Sequence, residues 1–359
     1  MSSALQWDVF CRVVDNYGDI GVCLRLARDL AQRGQLVRLW VDDAAALHWM
    51  AADGLPAGLR VRPWAEAEHE AQPGDVVVET FGCELPAAFV QRMAARPKPP
   101  CWINLEYLSA EPYVERSHSL RSPQLAGPGR GLDKWFFYPG FSARTGGLLR
   151  EPGLLQAQAA FDAPAWLAAR GWQPRDGERV VSVFCYANNA WPQLLASLAE
   201  APTLLLLCPG AARQQVPELA ARHAQLRCIP LPYLSQADYD RLLWSCELNL
   251  VRGEDSLVRA LWAGRPLLWH IYPQDDGAHG PKLEAFMDQY LAHADADWAG
   301  PMRQLWRAWN ALTPWTPATG RDCLTRLKLG RQQALRWREE MSKAADLCSQ
   351  LMGFVAESG

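Results

Sequence analysis

The chain has almost no net charge and no long apolar run, and each shortage excludes a class of protein. Its 36 Lys and Arg against 39 Asp and Glu leave a formal net charge of -3. The basic field expected of a general nucleic-acid binder is therefore missing. No apolar stretch approaches the ~20 residues that a membrane span needs. Residues 1–8 lack a basic segment followed by an apolar one, so no secretory signal is expected. Ten cysteines are scattered along the chain, without a Cys-x-x-Cys pair or a matching histidine, which argues against a zinc site. Cys11, Cys23, Cys185 and Cys228 stand inside apolar runs, where a thiol behaves as a small hydrophobe. No short repeat or low-complexity tract occurs. A reduced, cytoplasmic protein with neither membrane nor nucleic acid as partner is the expectation.

What is present is an ordinary globular composition at unusual length. Hydrophobic residues make up 49% and charged residues 21% of 359, too long for one ordinary core, so two domains are expected. Apolar runs alternate with periodic segments. A strand is predicted over 5–14, then a turn at 15–19. A helix follows over 20–33 with Ile20, Cys23, Leu24, Ala27, Leu30 and Ala31 on one face. Further strands are predicted at 36–41, 59–61, 76–79 and 101–105. Between 117 and 153 the composition shifts to Gly, Pro, Ser and Arg, with one strand candidate at 135–138. Strands then recur at 179–185, 203–207, 226–229, 247–251 and 266–271, and the last ~60 residues read as helical. Short strands separated by helices imply parallel sheets covered on both faces. The division expected is 1–153, 154–330, and a C-terminal helix over 331–359 packing back across the junction. The seventeen tryptophans fall mostly at helix or strand spacing and are read as core.

Two loops carry the chemistry. The first is Arg252-Gly253-Glu254-Asp255-Ser256, between the apolar run 248–251 and the periodic segment 257–264. A strand that turns through glycine into a helix presents helix amides to an anion. Arg252 can grip a phosphate with paired donors, and Ser256 or Asp255 can cap the helix. Glu254 and Asp255 suit sugar hydroxyls better than phosphate; the bland alternative is an Asp255 cap beside an Arg252–Glu254 surface pair. The second loop, Asp15-Asn16-Tyr17-Gly18-Asp19, opens the first helix with two acids where a dinucleotide fingerprint would carry glycines. Asp19 is either a helix cap or a catalytic acid, and both readings stay open. Phe184 and Tyr186 end a strand, where aromatics can stack on a nucleobase or simply fill core. Asp275 and Asp276 form an acid pair without a visible third metal ligand. The segment 104–111, with Glu106 and Glu111, lies beyond another strand. Arg321, Arg326, Lys328, Arg331, Arg336 and Arg338 read as the solvated side of a terminal helix.

These segments together resemble the EarP family of bacterial protein-arginine rhamnosyltransferases, which modify translation elongation factor P. The resemblance is carried by 7–23, 103–111, Phe136-Phe137-Tyr138-Pro139-Gly140-Phe141 with Thr145-Gly146-Gly147-Leu148, and 252–273, in order over almost the whole chain. It implies an α/β fold of two Rossmann-like domains facing across a cleft, the glycosyltransferase-B architecture. It also implies an inverting, metal-independent transferase that takes dTDP-β-L-rhamnose as donor and needs no cofactor. The acceptor implied is one arginine guanidinium on the N-terminal domain of elongation factor P. Residue by residue, Asp19 matches the general base, Asp15 an acid needed nearby, and Glu254 a second essential acid. Arg252, Gly253, Asp255, Ser256, Phe184, Tyr186 and Gln236 match donor-side positions. Asn16, Tyr17 and Gly18 accompany the aspartates, and Glu106 and Glu111 fall on the acceptor side. Ala187 departs from the pattern, since an acid is expected there in relatives. Two alternatives remain: a nucleotide-sugar transferase with a small-molecule acceptor, and a non-catalytic module that binds the translation factor.

Overall fold

The computed structural model describes residues 4–14, 17–70, 72–274 and 277–358. The chain divides into two compact units: Met1–Pro152 with Ala344–Gly359, and Gly153–Lys343.

The first unit holds a seven-stranded sheet of β1 (Gln6–Cys11), β2 (Leu36–Val41), β3 (Leu59–Pro63), β4 (Val76–Thr80), β5 (Cys101–Leu105), β6 (Leu120–Pro123) and β7 (Asp133–Phe137). Their order is β3-β2-β1-β4-β5-β7-β6. All neighbours are parallel except β6 against β7. That antiparallel edge corrects the expectation of a purely parallel sheet. Only the strand at 135–138 was expected between 117 and 153, because Leu120-Arg121-Ser122-Pro123 has no apolar alternation. Central strands read as continuous apolar runs because helices cover both faces; every residue of Val76–Thr80 is buried. The helix Gly18–Gln32 buries Ile20, Cys23, Leu24, Ala27, Leu30 and Ala31, the face its 3.6-residue period selects.

The second unit holds β8 (Arg179–Val183), β9 (Thr203–Leu207), β10 (Leu226–Pro230), β11 (Leu248–Arg252) and β12 (Leu267–His270). The order β10-β9-β8-β11-β12 is parallel throughout. Large aromatics fill its core, among them Trp191, Trp298, Trp306 and Trp309. In each sheet the winding reverses beside its first strand: β1 lies between β2 and β4, and β8 between β9 and β11. Chain loops part at such a point and leave a crevice at the strand C-termini. The loops that follow β1 and β8 therefore sit where a Rossmann-like unit takes its ligand.

The single helix expected over 331–359 is two helices, Leu327–Ser342 and Leu347–Ser358. They fall in different units. Asp346 breaks the run: its carboxylate accepts from the Ser349 backbone N–H at 2.9 Å and caps the second helix. Leu347, Cys348, Leu351 and Val355 then bury in the first unit's core. Within the first unit Arg33 fastens the start of this last helix, bonding Asp346 at 2.8 Å and Asp29 at 2.7 Å.

Candidate active site

In the second unit β11 runs one residue further than its apolar stretch suggests, so Arg252 is the last strand residue. Its backbone is extended (φ -128°, ψ 163°), and the helix Gly253–Ala263 starts directly after it. Gly253 has φ 61°, a left-handed turn that a side chain would strain. Trp269 pins the turn from β12 by donating its ring N–H to the Gly253 carbonyl at 2.8 Å. Asp255 and Ser256 consequently fall inside the first turn, and no side chain caps the helix at Arg252. This corrects both capping expectations. The acids remain within the positive end of the helix dipole, which stabilises them.

The Arg252–Glu254 surface pair of the bland alternative is not found among the described residues. Glu254 instead accepts from Lys282 Nζ at 2.7 Å, a residue of the helix His279–Tyr290. The Arg252 guanidinium carbon lies 4.5 Å from the Phe184 ring centroid and 4.7 Å from that of Tyr186. Among the described residues no carboxylate forms an ion pair with it. Both rings come from the chain leaving β8, which neighbours β11. Tyr186 is met edge-on by His270 at 5.4 Å and by Tyr272 at 5.5 Å.

His270 stands opposite Arg252 in the β11–β12 register, is 5% exposed, and packs on Trp309 at 5.3 Å. Burial first, then the charge of Arg252 and then His279, push its pKa down to about 4. The imidazole is therefore neutral at pH 7. Between Phe184 and Tyr186, Cys185 is buried and its thiol is pushed well up by that burial; it is core, not a nucleophile. Gln236 is buried at the start of the helix Gln236–Ser245, which Ser235 caps. That helix is tied to Gly253–Ala263 by a forked pair: Arg259 Nε and Nη2 meet the Asp240 carboxylate at 2.9 and 2.6 Å.

In the first unit the helix Gly18–Gln32 has Tyr17 before it and no side-chain cap. Asp19, 3% exposed, does not cap. Its Oδ2 accepts from the Val14 backbone N–H at 2.9 Å, which ties the carboxylate to the loop leaving β1. Tyr17 packs edge-on against Trp49 at 5.2 Å. Asp15 and Asn16 lie outside the described residues. Beyond β5, Glu106 accepts from Asn104 Nδ2 at 2.6 Å, and burial raises its pKa above the usual carboxylate value. Asn104 also accepts from the Gly82 N–H at 3.2 Å. Glu111 precedes the helix Pro112–Ser117 and accepts from the Ser109 hydroxyl at 3.0 Å. No hydrogen bond joins Glu106 or Glu111 to Asp19 among those described.

Thus the fold gathers Phe184, Tyr186, Arg252 and Glu254 at one strand edge, and adds Lys282 and His270, which sequence reasoning missed. The only advance signal for His270 was its place at the end of the strand after β11. Lys282 carried none, being 28 residues from Glu254. Among the described residues no three His, Cys, Asp or Glu side chains are grouped to hold a metal ion. Asp275 and Asp276 lie outside the described residues. None of the described helices is long and apolar enough to cross a membrane.

Comparison with known proteins extends these observations. A glycosyltransferase, VinC, in complex with dTDP superposes with a TM-score of 0.57 over 98% of this chain and all of its own, at 16% identity. That likeness speaks to the fold alone, the glycosyltransferase-B architecture. A solved structure concerning EarP-mediated arginine glycosylation of translation elongation factor EF-P matches at TM-score 0.70 and 33% identity, over 99% of this chain and 100% of that one. A protein-arginine rhamnosyltransferase of Pseudomonas aeruginosa is 45% identical over 98% of this chain and 99% of its own length. The one from Pseudomonas putida is 48% identical over 85% and 86%. The family model for elongation-factor P (EF-P) rhamnosyltransferase EarP matches residues 7–356. With that span and those identities, the chain belongs to the EarP family of elongation-factor P rhamnosyltransferases.

Proposed function

We propose that this chain transfers L-rhamnose from dTDP-β-L-rhamnose, with inversion, to one arginine guanidinium on the N-terminal domain of elongation factor P. It does so in the cytoplasm and without a metal or other cofactor. Family membership and relatives that are named protein-arginine rhamnosyltransferases support the activity. The observation that carries the donor side is Arg252: a cation at a helix N-terminus, held by ring faces rather than by a carboxylate. Such a group suits a diphosphate.

The chemistry divides between the two units. In the second, Arg252 and the amides of Gly253, Glu254 and Asp255 stabilise the charge that develops on departing dTDP. Ser256 and Gln236 add polar contacts to the donor. Glu254, neutralised by Lys282, accepts hydrogen bonds from sugar hydroxyls without repelling the diphosphate. In the first unit, Asp19 is the general base, with Asp15, Asn16, Tyr17 and Gly18 shaping its loop and Glu106 and Glu111 on the acceptor side. The acceptor guanidinium has a pKa of about 12.5–13.8, so deprotonating it beforehand at neutral pH would cost roughly 8 kcal/mol. A base that takes the proton as the C–N bond forms avoids most of that. The new bond forms at the anomeric carbon as its bond to the diphosphate oxygen breaks; the proton goes to Asp19 and dTDP leaves with the electron pair.

Intact-mass analysis of elongation factor P, incubated with this protein and dTDP-rhamnose, tests the proposal. One added deoxyhexose, mapped to an arginine, is expected. No addition with dTDP-rhamnose, but transfer to a small acceptor or from another nucleotide sugar, would replace it.

A further inference from the structure

The two rings placed by sequence on a nucleobase already have an occupant. The Arg252 guanidinium lies within 4.7 Å of both ring centroids, Phe184 and Tyr186. A ring face taken by a guanidinium is not free for a base. We propose that Phe184 and Tyr186 are positioning residues for Arg252, a cation–π cage that acts on the donor's diphosphate through the arginine and not on its base.

Two kinds of partner would act differently on Arg252. A carboxylate would fix the side chain tightly, but it would neutralise the charge and occupy the N–H donors that a diphosphate requires. Ring faces attract the cation while touching only the flat of the guanidinium, whose N–H groups point outward in its plane. The cation keeps both its charge and its donors. The chain supplies this contrast within three residues. Arg252 takes the rings, while Glu254 takes the lysine. The cage is itself braced: His270 and Tyr272 meet the Tyr186 ring edge-on, and Tyr239 meets Phe184 at 5.8 Å. His270 is buried directly across the strand pair from Arg252. Because it is uncharged at pH 7 it adds no second cation beside the guanidinium.

The inference rests on the donor reading above, and a double-mutant cycle with a ligand-independent arm separates the two. Tyr186→Leu is expected to weaken dTDP binding about ten-fold by calorimetry and leave thymidine binding unchanged. In an Arg252→Gln background, Tyr186→Leu should cause no further loss. Tyr186→Phe, which keeps the ring face, should retain most of the dTDP affinity that Tyr186→Leu loses, and a Phe variant as weak as Leu would overturn the cage. Equal losses in both backgrounds, or an equal loss for thymidine, would overturn the cage and restore base stacking. Without any ligand, phenylglyoxal labelling of Arg252 followed by peptide mass should speed up in Tyr186→Leu; an unchanged rate also overturns the cage. Failure of the wild-type protein to bind dTDP would instead remove the donor reading while the labelling arm still judged the cage.

Discussion

Removing the cation from the Arg259–Asp240 pair should loosen the second unit at its proposed donor site. Arg259 and Asp240 are 2% and 5% exposed, and two short hydrogen bonds join them. Arg259→Met keeps the length and apolar bulk of the side chain but takes the cation and two charge-assisted hydrogen bonds away from a buried carboxylate between two helices. Breaking a buried pair from one side costs about 3–5 kcal/mol, a large share of the ~5–15 kcal/mol that holds a domain together. With a urea m-value of about 2 kcal/mol/M, the midpoint should fall by about 2 M. Hydrogen exchange should place the loss in the helices Gln236–Ser245 and Gly253–Ala263, the elements that open with Gln236 and with the residues after Arg252. Replacing both partners by apolar residues, Arg259→Met with Asp240→Leu, should recover most of the stability, since neither charge is then left buried. A single variant whose midpoint moves by less than about 0.3 M, or a double variant as unstable as the single, would refute this account of the pair.

Three further outcomes are expected. Asp19→Asn retains an acceptor for the Val14 N–H but no base, so transfer should fall by about 10²–10⁴ while calorimetric dTDP affinity stays unchanged; wild-type turnover would take Asp19 out of the mechanism. Lys282→Met removes the ammonium from which Glu254 accepts at 2.7 Å, and donor kcat/KM should drop about ten-fold, near 1.4 kcal/mol. Steady-state kinetics identical to wild type would make that ion pair ornamental. Unfolded chains protonate His270 near pH 6.5, whereas the folded chain does so only at about pH 4. Between those values the unfolded state binds more protons, so stability falls as pH falls, by about 3 kcal/mol in all. His270→Phe should remove that part of the slope in denaturant titrations run from pH 7 to 4, and a slope equal to wild type would contradict the buried neutral imidazole.

Much of the fold could be read from the chain because local pattern and burial agree. The face chosen by Ile20, Cys23 and Leu24 is the buried one, and the strand–turn–helix at Arg252 is where the apolar run ends. What stayed hidden depended on backbone sign or on distant partners. Left-handed Gly253 starts the helix early, which moves Asp255 and Ser256 from capping positions into the first turn. The partner of Glu254 comes from another helix, and no local spacing announces it. Aromatics after β8 were legible as a recognition feature, but not that Arg252 covers their faces. β6 pairs through its backbone, so its mixed side chains gave no alternation to detect. Asp346 ends one helical period and begins another with the same apolar character on both sides, which is why a single helix was expected.

The return of residues 344–359 to the first unit sets the order in which the molecule can be completed as it is made. Residues 153–343 leave the ribosome as a continuous stretch, so the second unit has all its parts before the first does. The first unit, begun 150 residues earlier, must wait with the ground beneath Leu347, Leu351 and Val355 uncovered until those side chains emerge. Its core is the last to close, although its sheet is the first to be synthesised. Interruption of synthesis between residues 343 and 347 therefore yields a finished second unit attached to a first unit with apolar surface exposed, a species for chaperones or proteases rather than for catalysis.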